Sequence, residues 1–189
     1  MDLVTRIRQE LALEVSMKDG RPCLDLSETK DARWPRKINP AVCIAIDPYG
    51  PDAECRWPLP RFEILIANFD SIGLKAVAVG NPGADQSDER LSRIVADFTD
   101  KCDLLTQTRV ISKCLMWIGH DTIRRHLAAA ANVPQVVLLP NGRESEPVYR
   151  DTVFVKPGRG KAESKVLGPL SVADVAGAVT EVLKNLGKA

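Results

Sequence analysis

The segment that most constrains the fold is residues 115–134, which read LMWIGHDTIRRHLAAAANVP. An apolar run is followed by a short polar turn and then by an alanine-rich stretch that predicts a tightly packed helix. Small side chains allow such a helix to approach a neighbouring strand closely. The segment therefore predicts a strand that runs directly into a helix, with the start of the helix facing a ligand.

The polar turn predicts a site for an anion. Asp121 is a suitable N-cap residue, and the first amides of a helix have no partner within the helix itself. Arg124, Arg125 and His126 stand beside those amides in the sequence. Because positive charge is unfavourable at this end of a helix, we interpret the two arginines as ligands of a phosphate or diphosphate. The alternative is a pair of solvent-exposed arginines.

The rest of the chain predicts strands that alternate with helices. Apolar runs indicate strands at residues 42–46, 75–79, 115–118, 135–139 and 152–155. Helical periodicity indicates helices at residues 60–71, 88–98, 108–113 and 121–132. Continuously apolar strands separated by helices are typical of a mainly parallel sheet covered on both faces. We therefore predict an α/β fold, a single Rossmann-like domain.

The chain divides into two parts by composition. Residues 1–41 predict an N-terminal helix and a linker-like arm, and residues 42–189 predict the Rossmann-like domain. The helix has one apolar face, and the arm contains Trp34, an exposed aromatic of the kind that anchors interfaces. We therefore expect another protein chain, or a second copy of this one, as a partner. The apolar face is formed by Leu3, Val4, Ile7, Leu11 and Val15.

Composition limits the classes of function. A net charge of +1 over 189 residues disfavours a nucleic-acid-binding protein. No apolar run is long enough for a transmembrane segment, and the first residues lack a signal-peptide pattern, so we expect a cytoplasmic protein. The five cysteines include no CxxC pair, which favours reduced structural thiols over a metal or redox site. We expect no metal and no cofactor.

Two further turns are candidate ligand sites, because the carboxyl ends of parallel strands meet at one edge of the sheet. Gly80 and Asn81 follow a predicted strand and offer backbone amides to a phosphate or ribose, although such residues also form ordinary turns. Glu144 and Glu146 follow another strand and are candidate acceptors for ribose hydroxyls. The alternative for these two is a solvated loop.

Residues 115–134 resemble the nucleotide-diphosphate-binding turn of the bacterial heptosyltransferase family (glycosyltransferase family 9, GT-B fold). The family pattern reads Ile-Gly-x-Asp-Ser/Thr-Gly-x-x-His-Leu-Ala-Ala-Ala followed by proline. The positions that match it are Ile118, Gly119, Asp121, Thr122, His126, Leu127, Ala128, Ala129, Ala130 and Pro134. Ile123 departs from it, because the family has a glycine there whose backbone approaches the phosphates. The resemblance implies diphosphate binding by residues 121–126, with His126 as a positioning group. A buried core histidine is the alternative for His126.

Other segments resemble the same family. Residues 43–50, with Arg56-Trp57-Pro58 and the helix after them, are similar to the first strand of the family's C-terminal domain and its Lys-x-Trp-Pro turn. Cys55 occupies the position of the lysine that holds the phosphates in the family, and Arg56 is interpreted as its displaced substitute. Residues 169–175 resemble the start of the C-terminal helix, and residues 21–26 the interdomain segment.

The resemblance implies a domain similar to the C-terminal half of a GT-B glycosyltransferase. We expect the acceptor domain, which supplies the catalytic carboxylate in the family, to be absent from this chain. The first hypothesis is thus a nucleotide-sugar-binding subunit that acts with a partner chain, with the nucleotide-diphosphate sugar as donor substrate. The second is a non-catalytic, degenerate GT-B-like subunit or scaffold, which Ile123 and Cys55 favour. No catalytic residue is assigned.

Overall fold

The computed structural model describes residues 9, 15–18, 21–24, 26, 34–50, 52, 55–86, 90–99, 102–145, 147–158 and 167–187. Eight strands occur in this part of the chain: β1 (Val15–Lys18), β2 (Arg21–Leu24), β3 (Cys43–Asp47), β4 (Lys75–Ala78), β5 (Ala96–Asp97), β6 (Met116–His120), β7 (Gln135–Leu138) and β8 (Thr152–Val155). Strands β1 and β2 form an antiparallel pair. The other six form a parallel sheet in the order β5-β4-β3-β6-β7-β8.

Four α-helices accompany the sheet in the described residues: α1 (Leu59–Ser71), α2 (Leu104–Lys113), α3 (Ile123–Ala130) and α4 (Val172–Asn185). Helix α4 begins with a capping box, in which the Ser171 hydroxyl accepts from the Asp174 amide at 3.1 Å and the Asp174 carboxylate accepts from the Ser171 amide at 3.2 Å. Two short 3-10 helices cover Pro40–Val42 and Ala84–Gln86.

The core has two layers, one on each face of the sheet. Helices α1 and α4 cover one face, where Phe62 and Val179 pack on strand residues such as Ile118. Helices α2 and α3 cover the other face, where Val110 and Ala128 lie in one cluster of buried residues. The small residues of α3 are buried, as the alanine-rich sequence predicts. The parallel sheet with helices on both faces confirms the predicted α/β fold.

One predicted helix, at residues 88–98, is wrong over the part of it that the structure describes. Residues 90–95 are not helical, and Ala96–Asp97 form the edge strand β5. Leu91, Val95 and Phe98 have helical spacing in the sequence. The backbone there bonds instead to the sheet, since the Phe98 amide donates to the Ala78 carbonyl at 2.9 Å. Pairing with β4 overrides the local periodicity.

The arm at residues 18–41 is not simply a linker, which corrects that expectation. Strands β1 and β2 form a hairpin, and β2 packs against α3. Arg109 of α2 donates to the Leu26 carbonyl at 3.0 Å. Trp34 is not an exposed anchor either, because its ring stacks on Phe98 at a centroid distance of 6.1 Å. The predicted N-terminal helix lies outside the described residues, apart from Gln9, which is helical, and Val15, which begins β1.

Among the described residues, no helix combines the length and the apolar composition that a bilayer crossing requires. The proposed boundary between residues 1–41 and 42–189 stays a prediction.

Candidate functional site

The candidate site is the edge of the sheet at which β3, β4, β6 and β7 end. Close packing of backbone brings these ends together. A Cβ atom on Gly119 of β6 would lie 2.8 Å from the Cβ atom of Asp47, the last residue of β3. A Cβ atom on Gly80, which follows β4 and has a φ of +116°, would overlap the Asp47 carboxylate. Both glycines are therefore required for the strands to converge on Asp47.

Thr122, and not Asp121, is the N-cap residue of α3, which corrects the prediction from sequence. The Thr122 hydroxyl accepts from the Arg124 amide at 3.3 Å and donates to the Asp47 carboxylate at 3.0 Å. Asp121 has a different role, because its carboxylate accepts from Arg125 Nε at 2.6 Å and from the Ser145 hydroxyl at 2.8 Å. Asp121 thereby fastens the loop after β7 to the start of α3.

Arg124 is buried, so the alternative of a solvent-exposed arginine is wrong for this residue. Its side chain is 10% exposed, and its guanidinium donates to Gln107 Oε1 at 2.6 Å and to Asn81 Oδ1 at 3.1 Å. Its Nη1 atom lies 3.7 Å from the Asp47 carboxylate, which has no exposed surface. Gln107 of α2 also accepts from the Gly80 amide at 3.1 Å. We call these five residues, Asp47, Gly80, Asn81, Gln107 and Arg124, the Asp47 network.

Burial dominates the electrostatics of the Asp47 network. Removal from water raises the pKa of Asp47, and the nearby Arg124 guanidinium, with hydrogen bonds from the Thr122 hydroxyl and the Tyr49 amide, opposes that rise. The guanidinium is thus the countercharge that lets a carboxylate exist beneath the sheet edge. The network joins the ends of β3 and β4 to the start of α3.

Arg125 is fully buried on the other side of α3, so the exposed alternative is wrong here too. In addition to Asp121, it donates to the Pro147 carbonyl at 3.0 Å. Its guanidinium lies over the Tyr149 ring, 5.3 Å from the centroid. His126 joins this cluster, because its Nδ1 atom lies 2.7 Å from the Tyr149 hydroxyl. These contacts hold the loop after β7 on α3, and burial raises the pKa of Tyr149 to about 12.

His126 is half-buried, so the alternative of a buried core histidine holds only in part. Its imidazole meets the Tyr149 ring edge-on at a centroid distance of 5.6 Å. The sequence-predicted residues therefore fall into separate groups. Gly80, Asn81 and Arg124 belong to the Asp47 network, which Thr122 contacts. Asp121, Arg125 and His126 support the loop after β7.

His120 is the buried last residue of β6. Its Nε2 atom accepts from the Trp57 amide at 2.8 Å, and this bond fastens the turn at residues 55–57 to the end of the strand. Burial lowers the pKa of His120 to about 3, and the positive charge of Arg56 acts in the same direction. The imidazole is therefore neutral at pH 7.

Acid is expected to destabilise the domain through His120. Its folded-state pKa of about 3 lies below the usual value of 6.5. The unfolded chain therefore binds more protons between these values, and the free energy of unfolding falls as pH drops through that window. From His120 alone, we expect the free energy of unfolding to fall by ~2.7 kcal/mol between pH 7 and pH 4.5, since each pH unit below 6.5 costs about 1.36 kcal/mol.

Urea denaturation at the two pH values measures that loss, and His120→Gln is the control because an amide oxygen still accepts from Trp57 but does not titrate. The variant should show a flatter pH dependence than the wild-type chain. Equal slopes for the two proteins would show that His120 does not cause the effect.

Arg56 is half-buried and paired within the protein. Its Nε atom donates to the Gly50 carbonyl at 3.0 Å, and its Nη1 atom lies 2.5 Å from the Asp85 carboxylate. This contact lowers the pKa of Asp85. Cys55, which precedes Arg56, contacts the guanidinium of Arg143, with 3.3 Å between Sγ and Nη1. Arg143 belongs to the loop after β7, so two distant segments meet at Cys55.

Sequence reasoning missed Asp47, Gln107 and Arg143 as residues of this edge. A charge directly after a buried strand is a usable signal for Asp47, because such a carboxylate requires a partner. Gln107 lies on a helix face among apolar residues and carries no comparable signal. In the sequence, Arg143 cannot be distinguished from other charged loop residues. Its contact with Cys55 is visible only in the folded structure.

The comparisons with known proteins agree with this architecture. A family model for glycosyltransferase family 9 (heptosyltransferase) matches residues 3–146. A search among curated proteins found no match. Similar folds were found among solved structures.

A family 9 glycosyltransferase from Veillonella parvula DSM 2008 is 18% identical, with a TM-score of 0.66 over 78% of this chain and 47% of that one. The E. coli ADP-heptose LPS heptosyltransferase II is 16% identical, with a TM-score of 0.66 over 79% and 49% of the two chains. E. coli heptosyltransferase WaaC with ADP is 14% identical, with a TM-score of 0.62 over 76% and 45%.

The chain thus spans about half the length of these structures, as a single domain of the GT-B fold would. The family match covers most of the chain and includes the strand, turn and helix that form the carboxyl edge of β6. By this match, the chain belongs to glycosyltransferase family 9, the heptosyltransferase family.

Proposed function

We propose that the carboxyl edge of the sheet binds the diphosphate of a nucleotide sugar, and that the chain is the donor-binding part of a heptosyltransferase-like glycosyltransferase. The observation that carries the proposal is the start of α3, which the Thr122 cap and the Asp47 network fix at the edge where β3, β4 and β6 end. Helix amides at such an edge are suited to a phosphate group.

In this proposal the chain stabilises the leaving group. Negative charge grows on the diphosphate as the bond to the sugar breaks, and the positive end of the α3 dipole stabilises that charge. Arg124 holds the cap in place through Asp47 and Gln107, and acts as a positioning residue. Arg125 and His126 orient the loop after β7 in the same way. A carboxylate of an acceptor domain would take the proton of the acceptor hydroxyl.

Relatives support the choice of ligand. One similar structure holds ADP and another is named as an ADP-heptose heptosyltransferase. We extend nucleotide-diphosphate binding to this chain on the basis of its family and of the site just described. A protein partner, either another chain or a second copy, and a cytoplasmic location belong to the same proposal.

A specific observation favours a second function, that of a non-catalytic subunit or scaffold with the family fold. Ile123 is the first residue of α3, where the family pattern has glycine. An isoleucine side chain at that point restricts the approach of a ligand to the backbone. The network beneath it is complete without a ligand, since Arg124 is already held by Asp47, Asn81 and Gln107.

Thermal denaturation with ADP, UDP and GDP, each added separately, distinguishes the two functions. A ligand at 100 times its dissociation constant adds ~2.7 kcal/mol to the free energy of unfolding. We expect a rise in melting temperature with at least one nucleotide. No shift with any of them, at concentrations up to the millimolar range, would support the scaffold and contradict donor binding.

Replacement of Ile123 by glycine is expected to tighten nucleotide binding. Removal of the side chain opens the first amide of α3 to the phosphates, and a gain of about tenfold in affinity corresponds to ~1.4 kcal/mol. The substitution should cost up to ~1 kcal/mol of stability, because glycine is a poor helix former. Calorimetric titration with ADP measures the affinity.

Ile123→Ala serves as the control for this change, because it shortens the side chain and keeps helix propensity. The affinity of this variant for ADP should lie between those of the wild-type chain and the glycine variant. A glycine variant that binds no more tightly than wild type would indicate that Ile123 does not restrict the site.

A further inference from the structure

Two loops flank the start of α3, and each is fastened to the end of β6. The turn at residues 55–57 is held by the bond from the Trp57 amide to His120, at 2.8 Å. The loop after β7 is held by the bond from the Ser145 hydroxyl to Asp121, also at 2.8 Å. His120 and Asp121 directly precede the Thr122 cap. Both fastening points therefore lie next to the Thr122 cap in the chain.

Arg143 connects these two loops. Its backbone is fixed, because its amide donates to the Pro140 carbonyl at 3.3 Å and its carbonyl accepts from Lys156 Nζ at 3.0 Å. Its guanidinium reaches across to Cys55 Sγ at 3.3 Å, and a thiol is a weak acceptor. The distance from Nη2 to the Asp52 carboxylate is 3.8 Å, beyond hydrogen-bonding distance. The side chain is 47% exposed.

The other arginines at this edge are already engaged. Arg124 and Arg125 each donate to a side-chain oxygen at 2.6 Å, and Arg56 lies 2.5 Å from Asp85. Arg143 differs from all three, because among the described residues its guanidinium contacts only a thiol and, more distantly, a carboxylate. A second cation, Lys156, lies against its backbone. Arg143 forms an exposed ion pair with Asp52, but among the described residues its guanidinium donates no hydrogen bond to a protein oxygen.

We propose that Arg143 binds the diphosphate of the nucleotide. This inference rests on the proposed function. It identifies a cation for the phosphates, because Arg56, Arg124 and Arg125 are already engaged within the protein. A guanidinium donates two parallel hydrogen bonds to phosphate oxygens. In this proposal, Arg143 contacts the diphosphate from the side of the loop after β7, and the start of α3 contacts it from the other side. Lys156 adds charge to the same position. Cys55 contacts Arg143, so a lysine in place of Cys55 would bring positive charge to the same position.

Calorimetric titration of the full chain with ADP and with inorganic diphosphate tests the proposal. Arg143→Ala should weaken both ligands by about tenfold or more, since a hydrogen bond to a charged group contributes ~1.5 kcal/mol or more. Arg150→Ala is the matched control, because Arg150 lies in the same loop at 85% exposure, beside Asp151 at 4.0 Å. It should leave the affinity within about twofold of wild type.

A second substitution makes the test specific for charge at this position. In the Arg143→Ala background, Cys55→Lys should restore part of the lost affinity, and Cys55→Ser should not. Unchanged binding by Arg143→Ala would overturn this inference and leave donor binding standing. An equal loss in Arg150→Ala would also overturn it, since the effect would then be one of overall charge. Failure of the wild-type chain to bind either ligand would overturn both the inference and the proposed function.

Discussion

An Arg124→Ala variant is expected to lose about 3 to 5 kcal/mol of unfolding free energy, because it leaves the Asp47 carboxylate buried without its countercharge. Asp47 has no exposed surface and lies 3.7 Å from the guanidinium. The same change removes the donor to Gln107 at 2.6 Å. Replacement of a solvent-exposed arginine by alanine would lower the free energy of unfolding by less than ~0.5 kcal/mol. Urea denaturation at pH 7 distinguishes the two values.

A double-mutant cycle of Asp47→Ala, Arg124→Ala and the combined variant assigns the loss to the ion pair. The combined variant lacks both charges, and should lose less stability than the sum of the two single variants. Arg150→Ala provides the control for removal of an exposed arginine. If Arg124→Ala lost no more than this control, the Asp47 network would not stabilise the start of α3.

The second large effect is expected at Trp57, for which alanine should cost about 3 to 5 kcal/mol. The indole is 1% exposed and packs edge-on against Phe62 at a centroid distance of 4.7 Å. Its Nε1 atom donates to the Leu170 carbonyl at 2.9 Å, so it also connects the turn before α1 to the segment before α4. Its loss leaves a cavity at the base of the candidate site.

Trp57→Phe separates the two contributions, because phenylalanine fills most of the cavity but donates no hydrogen bond. It should cost about 1 to 2 kcal/mol, and urea denaturation measures both variants. Arg61 also donates to the Leu170 carbonyl, so that carbonyl keeps a partner in either variant. A loss below ~1 kcal/mol in the alanine variant would contradict this account of the turn.

The sequence was sufficient for the main architecture. The strand that ends at His120 and the alanine-rich helix after it form as residues 115–134 predict, because their apolar residues face the two layers of the core. The helix predicted at residues 88–98 was wrong over the described residues 90–98. Only the neighbouring β4 shows that this segment lies at a sheet edge. A one-dimensional pattern cannot represent such a pairing.

The convergence of the candidate turns was predictable from the sequence, and the contacts between them were much less so. The turns were expected at one edge of the sheet, and the structure brings Gly80 and Thr122 together there through Asp47. The sequence could not show that Arg124 turns inward, because its partner Gln107 comes from another helix. For the same reason, the role of Asp121 as an anchor for Ser145 was not visible in the local N-cap pattern.

The two functions assign different roles to Arg124 and its partners. The buried charges are balanced within the protein, which makes the start of α3 rigid in either case. Under donor binding, the rigid cap reduces the cost of ordering the site around a diphosphate. Under the scaffold function, the same network preserves only the fold. A map of where a nucleotide binds separates these possibilities.

Amide chemical-shift mapping with ADP tests the central claim most directly, since the chain of 189 residues is small enough for assignment by NMR. Nucleotide binding at the start of α3 predicts the largest shifts at the first turn of α3, at residues 55–57 and at residues 141–145. Small changes are predicted at the opposite edge of the sheet, near Asn132 and Asp151. Shifts confined to that opposite edge, or no saturable shifts at any position, would contradict nucleotide binding at the start of α3.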